Sequence, residues 1–367
     1  MTSLSSETLI ENFKISFEDY NLDLLQKSKH WQRYYNYKYK KFEDKQYLQN
    51  FRKHLSEGLD DARHVDLKNV SKTIEEIGED LVLKNLSKKN IGESEYAYKL
   101  FNYYIDMNEL VHISWFKDLN SKIKESKIKN VIEIGGGFGS LARIILNNYN
   151  CKYILIDLPE ANLLSSYFLS QNFPNKKIYL YKDYKKHKIL SANEFFENDI
   201  FILPPWFHLD QNIKIDLFIN TRSMMEMNFN VIKKYFSLIH QSISEDGYFL
   251  NINRYSKETV GHKINLWEYP YDDSWRVLLS KKSFKQNHTH FLLTQREKIE
   301  KNKNIVNELK IIKKIGLPIL KKQILHGEKK NKAKKLIFIT SIIKKILILF
   351  IGKKMLNYVG QKLLNLK

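Results

Sequence analysis

The sequence predicts an α/β fold in which a mostly parallel sheet is covered by helices on both faces. The first observation is that apolar runs of strand length alternate with helical patterns from residue 130 onward. The second is that the earliest run ends in a cluster of glycines, and the third is that the next run ends in an acid followed by proline. Strands that alternate with helices imply right-handed crossovers and therefore a parallel sheet.

The strands and helices of this region can be placed in order along the chain. The predicted strands are NVIEIGGG (130–137), KYILIDLP (152–159), DIFILPP (199–205), IDLFIN (215–220) and GYFLNINR (247–254). Helical patterns cover 140–149, 160–173 and 229–243, between successive strands. Two further runs, 275–284 and 289–296, are predicted to form an antiparallel pair. The run KIYLYKD (177–183) has the composition of an additional strand, without a predicted place in the sheet.

The pattern divides the chain into three predicted parts. Residues 1–128 form a helical cap or substrate region, residues 129–300 form the α/β domain, and residues 301–367 form a basic amphipathic helical tail. Within the first part, apolar residues at helical spacing predict a helix over 96–123. Aromatic residues are frequent over 30–55. They are predicted to pack in a core, with the lining of a substrate cleft as the alternative.

The charge of the chain is concentrated in the tail. The formal net charge is +20, of which residues 301–367, with 18 lysines and two acids, supply +16, so the rest of the chain carries +4. A nucleic-acid groove across the body of the protein is therefore not favoured. The single cysteine, Cys151, excludes a disulfide framework, and the first 30 residues lack the apolar core of a signal peptide. Together these features predict a cytoplasmic protein.

The segment VIEIGGGFGSLARIIL (131–146) carries the main functional signal. It places Glu133, Gly135, Gly137 and Gly139 at alternate positions between a predicted strand and a predicted helix. Glycine lets a ligand approach the backbone closely, and the carboxyl end of a strand is where such sheets bind ligands. A dinucleotide fingerprint that begins at Gly135 requires a third glycine where this chain has Ser140. The acid-x-Gly-x-Gly-x-Gly spacing instead fits S-adenosylmethionine (SAM).

Two residues further along are predicted to complete the cofactor site. Asp157 ends the next strand, where its carboxylate can accept hydrogen bonds from both ribose hydroxyls of a nucleoside. NAD sites use the same device, so Asp157 does not by itself choose between the cofactors. Trp206 follows the strand DIFIL and is predicted to stack on the adenine, with a tryptophan packed in a rigid turn as the alternative.

Four segments resemble a known family. EIGGGFGSLAR, ILIDLPE, LFINTRSMMEMN and FLNINR are similar to bacterial sugar O-methyltransferases encoded with surface-polysaccharide genes, and the resemblance runs from about residue 43 to 296. The GGG-x-G and DLP segments more loosely resemble plant small-molecule O-methyltransferases. The resemblance implies a class I, Rossmann-like methyltransferase with sheet order 3-2-1-4-5-7-6. It also implies SAM as cofactor and a sugar or glycan hydroxyl as acceptor, in O-antigen or capsule biosynthesis.

Methyl transfer to a sugar hydroxyl needs a group that removes the proton. Glu226, in the Met-rich segment after IDLFIN, is the first candidate for a general base, and its alternative role is a structural pairing with Arg222 or a backbone amide. His208, in PPWFH, is the second candidate. The polar and aromatic loop 253–276 either contacts the substrate or is an ordinary loop. A metal site is not predicted, because Asp272 and Asp273 alone make a weak ligand set.

The tail has its own predicted role. Its segment 336–352 is mostly apolar but is interrupted by Lys344 and Lys345, each of which costs about 2.5–3.5 kcal/mol at the centre of a bilayer. A peripheral anchor on the cytoplasmic face of the inner membrane is therefore predicted rather than a span. A helical hairpin docked on protein and a flexible tail that binds nucleic acid are the alternatives.

Two other functions remain open from the sequence. One is a nucleic-acid methyltransferase that grips phosphate with the basic tail. The other is a non-catalytic protein with a SAM-binding fold that docks a partner or a membrane. A nicotinamide oxidoreductase is disfavoured by Ser140.

Overall fold

The computed structural model describes residues 4–20, 41–54, 67–258, 261–297 and 304–322. The chain divides into two compact units, Met1–Lys313 and Lys314–Lys367. In the second unit, the described residues 314–322 are helical. The predicted membrane segment 336–352 lies outside the described residues. Among the residues that are described, no helix has the length and apolar character that crossing a membrane requires.

The first unit begins with short helices and a hairpin and continues as alternating strands and helices. The helices are α1 (Ser6–Glu18), α2 (Lys45–Gln49), α3 (Leu67–Ile77), α4 (Glu79–Asn85), α5 (Met107–Asn120), α6 (Ser140–Asn148), α7 (Pro159–Asn172), α8 (Tyr181–His187), α9 (Ala192–Glu197) and α10 (Phe229–Ser242). The strands are β1 (Tyr98–Leu100), β2 (Tyr103–Ile105), β3 (Asn130–Ile134), β4 (Lys152–Ile156), β5 (Ile178–Leu180), β6 (Ile200–Leu203), β7 (Ile215–Thr221), β8 (Ile243–Arg254), β9 (Ser256–Glu258), β10 (Lys263–Asn265), β11 (Trp275–Lys282) and β12 (Thr289–Arg296).

The central sheet has eight strands in the order β11-β12-β8-β7-β3-β4-β6-β5. Strands β3, β4, β5, β6, β7 and β8 pair in parallel, whereas β12 runs antiparallel between β8 and β11. When β5 is left out and the other strands are numbered along the chain, the order from β6 to β11 is 3-2-1-4-5-7-6. The predicted mostly parallel sheet and its strand order are confirmed. The segment 177–183 contributes β5, which extends the sheet beyond β6.

The central strands are mostly apolar and buried because helices cover both faces of the sheet. Every residue of β6 is buried, as are four of the five residues in each of β3 and β4. The N-terminal helices pack into the same core, in which Phe13, Phe51 and Trp115 are almost fully buried. Cys151, just before β4, is also buried and is a free thiol.

One predicted helix is wrong in its first half. The helix predicted over 96–123 begins only at Met107, and the residues before it form the hairpin β1–β2. Phe101 lies at the hairpin turn with a φ of 52° and is 86% exposed. Asp106 then ends the extended chain, because its side chain accepts a hydrogen bond from the backbone N–H of Asn108 and caps α5. Apolar spacing alone did not reveal this turn and cap.

Candidate functional site

Most of the sequence-predicted site residues follow the carboxyl ends of parallel strands, and parallel strands bring those ends to one edge of the sheet. We divide this edge into two halves. The β3–β4–β6 half carries the glycine turn after β3, Asp157 after β4 and Trp206 after β6. The β7–β8 half carries the loop 222–228 after β7 and the segment 254–257 at the end of β8 and in β9. The two halves meet where β3 pairs with β7.

The glycine turn has two positions whose left-handed backbone favours glycine. Gly135 has a φ of 74°, and a Cβ there would lie 1.9 Å from the Ser223 Oγ, so the loop after β7 packs directly on it. Gly137 has a φ of 56°, and a Cβ there would meet no atom within 4 Å. The turn therefore presents open backbone at Gly137. Gly139 precedes α6 as its N-cap residue.

Asp157 links the turn to the neighbouring strand. Its Oδ2 accepts a hydrogen bond from the backbone N–H of Gly137 at 2.8 Å, and its Oδ1 accepts one from Leu158 at 2.7 Å. Burial raises the pKa of Asp157 to about 7; these two hydrogen bonds oppose the rise, and the charges of Glu160 and Glu226 add to it. The sequence predicted that Asp157 lies at this edge but not its bond to the turn.

The residues present fit the nucleoside of SAM. Each carboxylate oxygen of Asp157 has a second lone pair after its backbone bond, so both can accept from ribose hydroxyls. The open side of Gly137 leaves space for a ligand against the backbone. At the position of a third dinucleotide glycine, Ser140 shares a hydrogen bond of 2.9 Å with the Nδ1 of His112.

Glu133, the predicted first acid of the motif, lies beneath the turn. It is buried and accepts a hydrogen bond of 2.8 Å from the Tyr153 hydroxyl. Burial raises the pKa of Glu133 to about 7, with the charge of Asp157 adding to the rise and the bond from Tyr153 opposing it. A Cβ at Gly136 would lie 3.0 Å from the Glu133 carboxylate, so the acid supports the turn from inside.

Trp206 lies in an aromatic cluster at the end of β6. Its Nε1 donates a hydrogen bond of 3.1 Å to the Tyr181 hydroxyl, and its ring meets those of Tyr181 and Tyr20 edge to face. The tryptophan remains partly exposed. His208 is exposed, and in the part of the chain that the structure describes its side chain makes no hydrogen bond or ion pair. Only its backbone is tied, to the Tyr184 hydroxyl and the Leu190 N–H.

Glu226 forms an ion pair with Lys257 rather than the pairing with Arg222 considered from the sequence. The side chains of Lys257 and Glu226 are 17% and 13% exposed. Burial lowers the pKa of Lys257, the charge of Glu226 opposes this, and the charges of Arg254 and Arg222 add to it. The carboxylate of Glu226 is thus fixed in place at the edge of the sheet. Sequence reasoning missed Lys257, which lies 31 residues away in β9.

A buried chain of asparagines positions the turn that carries Glu226. The Asn220 side chain donates to the Ile134 carbonyl at 2.7 Å and accepts from the Met224 N–H at 3.2 Å. Asn253 donates to Asn220 at 2.7 Å and accepts from the Met225 N–H at 3.3 Å. This network joins β3, β7 and β8, and it was also missed. Its signal is polar asparagine inside runs that are otherwise apolar.

His112 is a further residue near the site that the sequence analysis did not select, whereas Arg222 lies in the loop after β7 that it considered. His112 belongs to α5, in the N-terminal region, and its ring lies 4.9 Å from that of Trp115. Burial lowers the pKa of His112 to about 3, and the charges of Arg222, Arg143 and Arg52 lower it further. Through the bond of His112 to Ser140, the N-terminal region reaches the edge of the sheet at the end of the glycine turn.

In the segment 253–276, two of the candidate substrate contacts, Trp275 and Asp272, have structural roles. Trp275 is fully buried, and Asp272 forms ion pairs with Arg296 and His240. His262 is exposed and Trp267 is partly exposed. Within the described ranges, no group of three or more His, Cys, Asp or Glu side chains is arranged to hold a metal ion.

No protein-family model matches the chain, and no curated protein matches it. Solved structures do match parts of it. The mitomycin 7-O-methyltransferase MmcR is 14% identical, with 51% of this chain and 57% of that chain covered and a TM-score of 0.30. The phosphoethanolamine N-methyltransferase 1 of Haemonchus contortus is 13% identical, with 59% and 49% covered and a TM-score of 0.32. Human N-acetylserotonin methyltransferase is 14% identical, with 52% and 53% covered and a TM-score of 0.30.

The matched part of this chain spans about half the length of these proteins. The fold assignment rests on the sheet itself, whose order 3-2-1-4-5-7-6 with an antiparallel seventh strand is the one expected from the sequence. The glycine turn follows its first strand and Asp157 follows its second. The chain therefore has the α/β, Rossmann-like fold of class I SAM-dependent methyltransferases.

Proposed function

We propose that this protein is a SAM-dependent O-methyltransferase that methylates a sugar hydroxyl. The observation that carries the proposal is the joint geometry of the glycine turn and Asp157. The backbone at Gly137 is open to a ligand, and the acid beside it retains acceptor capacity on both oxygens. A nucleoside cofactor without a pyrophosphate fits this arrangement, because the turn is followed by Ser140 rather than by the glycine of a dinucleotide site.

Asp157 and the turn bind and orient the nucleoside in this proposal. When bound, SAM supplies a methyl group that a nucleophilic oxygen accepts. Trp206 is the proposed adenine contact, since part of its ring remains exposed beside the turn formed by Pro204 and Pro205. The aromatic neighbours Tyr20 and Tyr181 fix the orientation of that ring.

Glu226 is the proposed general base. The loop that carries it packs on the glycine turn through Ser223 and Gly135, and its charge adds to the raised pKa of Asp157. Lys257 and the turn Met224–Glu226 hold it there. A fixed carboxylate can accept the proton of a hydroxyl that is placed against it. His208 is a weaker candidate, because its side chain is exposed and makes no hydrogen bond or ion pair in the described chain.

The sugar acceptor is supported by sequence resemblance. The DLPE segment that ends β4 and the S-x-x-E-M segment that carries Glu226 are the most specific parts of that resemblance, and both lie at this edge of the sheet. The proposal places the enzyme in the cytoplasm, in the synthesis of a surface polysaccharide.

The first test is calorimetric titration of the full-length protein with SAM and, separately, with NADH. We expect micromolar binding of SAM, no binding of NADH, and loss of SAM binding in Asp157→Ala. Binding of NADH in place of SAM would mean that the glycine turn serves a dinucleotide. Binding of SAM without turnover on any sugar acceptor would favour a non-catalytic role.

We also propose that the tail holds the enzyme at the inner membrane. The support is the excess of lysine around the apolar segment 336–352. Sedimentation with vesicles of anionic lipid tests this in the full-length protein. The double variant Lys344→Glu/Lys345→Glu should lose vesicle binding and keep SAM affinity. Equal sedimentation of the variant and the wild type would contradict the membrane role.

A further inference from the structure

Two phenylalanines of the described chain are far more exposed than its other large apolar side chains. Phe101 is 86% exposed and Phe196 is 81% exposed, whereas none of the others is more than half exposed. Phe196 lies in α9 together with Glu194 and Glu197, and the ammonium group of Lys152 lies 5.7 Å from the centre of its ring. Phe101 lies at the turn of the hairpin β1–β2, where its surroundings are different.

The turn at Phe101 is both strained and exposed. Leu100 pairs with Tyr103, so Phe101 and Asn102 form the two-residue turn of the hairpin. The φ of 52° at Phe101 lies in the left-handed region, where hairpin turns favour glycine or asparagine and a bulky residue is an outlier. Packing does not offset this strain, because the side chain lies almost entirely in solvent. Backbone strain of this kind is concentrated at functional positions, so Phe101 points to a contact outside the fold.

Phe101 is the tip of a larger apolar surface. All three residues of β1 are exposed, and Tyr98 and Leu100 are each 42% exposed. The Tyr104 N–H donates a hydrogen bond of 2.9 Å to the Ser87 carbonyl, so the segment that follows α4 lies beside β2 as a third extended chain. The exposed surface therefore combines the hairpin with this neighbouring segment.

Lysines flank the apolar tip. Lys99 lies in β1, and Lys88 and Lys89 lie in the segment beside β2; all three are exposed. Over residues 84–103 the chain has four lysines and two acids, so the charge of this surface is positive. An exposed aromatic and aliphatic tip with lysines behind it has the chemistry of a membrane interface, where acyl chains lie below acidic headgroups.

We infer that the hairpin β1–β2 binds a membrane that contains anionic lipid, with Phe101 and Leu100 inserted between the lipids and Lys88, Lys89 and Lys99 on the headgroups. Charge complementarity selects this partner. A second copy of the chain would use the same surface on both sides and bring two sets of lysines together. The hairpin is a membrane contact in addition to the proposed one in the tail, and the inference does not depend on the proposed reaction.

The hairpin is close to the cofactor edge along the chain. Asp106 follows β2 and caps α5, and His112, about 9 Å further along that helix, shares a hydrogen bond with Ser140 at the end of the glycine turn. One helix therefore joins the proposed membrane surface to the edge of the sheet. A membrane bound at the hairpin would hold that edge near the lipid, which suits an acceptor carried on a lipid.

The first test measures the depth of the turn in a bilayer. Cys151 is buried, so a cysteine introduced on the surface can be labelled selectively with a nitroxide. The label is placed in the full-length protein at Asn102→Cys and, as a matched control, at Asn212→Cys, an exposed asparagine in the turn before β7. The proteins are mixed with vesicles of phosphatidylcholine and about one third phosphatidylglycerol at about 0.1 M salt. Accessibility to oxygen and to a water-soluble nickel chelate gives the depth of each label.

We expect the label at position 102 to be accessible to oxygen and shielded from the chelate, and the label at position 212 to remain in water. If the protein binds the vesicles while the label at position 102 stays in water, another segment such as the tail holds it there, and the inference is overturned. Failure of the full-length protein to bind the vesicles also overturns it.

The second test compares two substitutions of exposed phenylalanine. Phe101→Asn places a residue that tolerates the left-handed backbone, so it should keep or raise the Tm. It should also lower vesicle affinity at least about fivefold, because the apolar tip is lost. Phe196→Asn, the matched control, should leave vesicle affinity within about twofold of the wild type. Lys88→Glu/Lys89→Glu should lower affinity for the anionic vesicles at least about tenfold and have no effect with phosphatidylcholine alone.

Two results of this comparison would contradict the membrane role. One is vesicle affinity that is unchanged in both hairpin variants or falls equally in Phe196→Asn. The other is a wild type that dimerises without lipid, in analytical ultracentrifugation, and becomes monomeric in Phe101→Asn. The second result would identify another copy of the chain as the occupant of the hairpin surface.

Discussion

The two halves of the sheet edge carry opposite charge. The β3–β4–β6 half carries Glu133, Asp157 and Glu160, whereas the β7–β8 half carries Arg222, Arg254 and the ion pair of Lys257 with Glu226. On the acidic half, burial raises the pKa of two carboxyl groups to about 7. On the basic half, burial and neighbouring cations lower the pKa of a lysine. In both halves, burial and neighbouring like charges make the ionised form unfavourable.

This difference suggests that the two halves of the edge have different roles. A sulfonium is positively charged and is favoured beside acids, whereas the β7–β8 half carries the proposed general base, Glu226. In the proposed function the cofactor lies over the acidic half, and the acceptor hydroxyl lies next to Glu226, close to where β3 pairs with β7. If the comparison is correct, substitutions in one half should change one ligand's behaviour and spare the other's.

The largest expected effect is on turnover. Glu226→Gln removes the proposed proton acceptor and should lower kcat by about a thousandfold, because general-base catalysis contributes about 10²–10⁴. SAM affinity should stay within about twofold, since Glu226 makes no hydrogen bond to the turn or Asp157 in the described chain. Single-turnover kinetics and calorimetry measure the two quantities. Turnover equal to that of the wild type would remove Glu226 as the base.

On the acidic half, a substitution is expected to weaken the binding of SAM. Asp157→Ala deletes the acceptor for the ribose and for the Gly137 N–H, and it should weaken SAM binding by about a hundredfold, or about 3 kcal/mol. Glu125→Ala is a matched control, because that acid is exposed near the amino end of β3. Calorimetry with SAM gives both values. Normal SAM binding by Asp157→Ala would contradict the assignment of cofactor binding to the acidic half.

A smaller effect should follow from pH. The pKa of Asp157 in the folded protein, about 7, lies above its usual value of 3.8, so between these values the folded state holds a proton that the unfolded state has lost. The free energy of unfolding of the ligand-free protein should therefore fall as pH rises from about 4 to about 7, and Glu133 adds in the same direction.

The same pKa predicts the pH dependence of cofactor binding. Ribose hydroxyls need the ionised carboxylate of Asp157, so SAM affinity should increase by about tenfold between about pH 6 and about pH 8. Calorimetry at both values checks this, and Asp157→Asn should remove the dependence on this group. An affinity that does not change with pH in the wild type would show that Asp157 is already ionised in the ligand-free protein.

The smallest expected change in activity concerns the junction between the halves. Asn220→Ala removes the acceptor of the Met224 N–H and one of the two acceptors of the Asn253 amide, and it should lower the free energy of unfolding by about 2–3 kcal/mol. The turn carrying Glu226 then loosens, so kcat should fall by about tenfold. Asn85→Ala removes another buried amide, in α4, and should lower stability without changing kcat. If Asn220→Ala and Asn85→Ala have the same kcat, the asparagine network does not position Glu226.

The sequence predicted the sheet well because its strands are apolar runs separated by helices, a pattern that needs no knowledge of distant contacts. It also predicted the glycine turn and Asp157, because each follows directly from a strand end. It predicted the helix of 96–123 too early, although Asp106 with Glu109 three residues later is a recognisable capping pattern that could have placed the start.

The basic half could not be predicted in the same way. Lys257 meets Glu226 only through the pairing of β7 with β8 and the short strand β9 that follows. His112 reaches the site from α5, in the N-terminal region. A single sequence shows neither contact, since both depend on how separate elements pack. The left-handed backbone of Arg222 likewise has no signal in its residue type.

The buried cysteine, Cys151, can be used to measure local opening of the fold. Burial raises the pKa of Cys151 to about 12, so at neutral pH almost none of it is the reactive thiolate. A thiol reagent can modify it only when the segment joining α6 to β4 opens. The rate of modification therefore measures how often the segment at the start of β4, the strand that Asp157 follows, opens. If SAM slows the modification of Cys151, the ligand stabilises the centre of the sheet against local opening, and no added label is needed to show it.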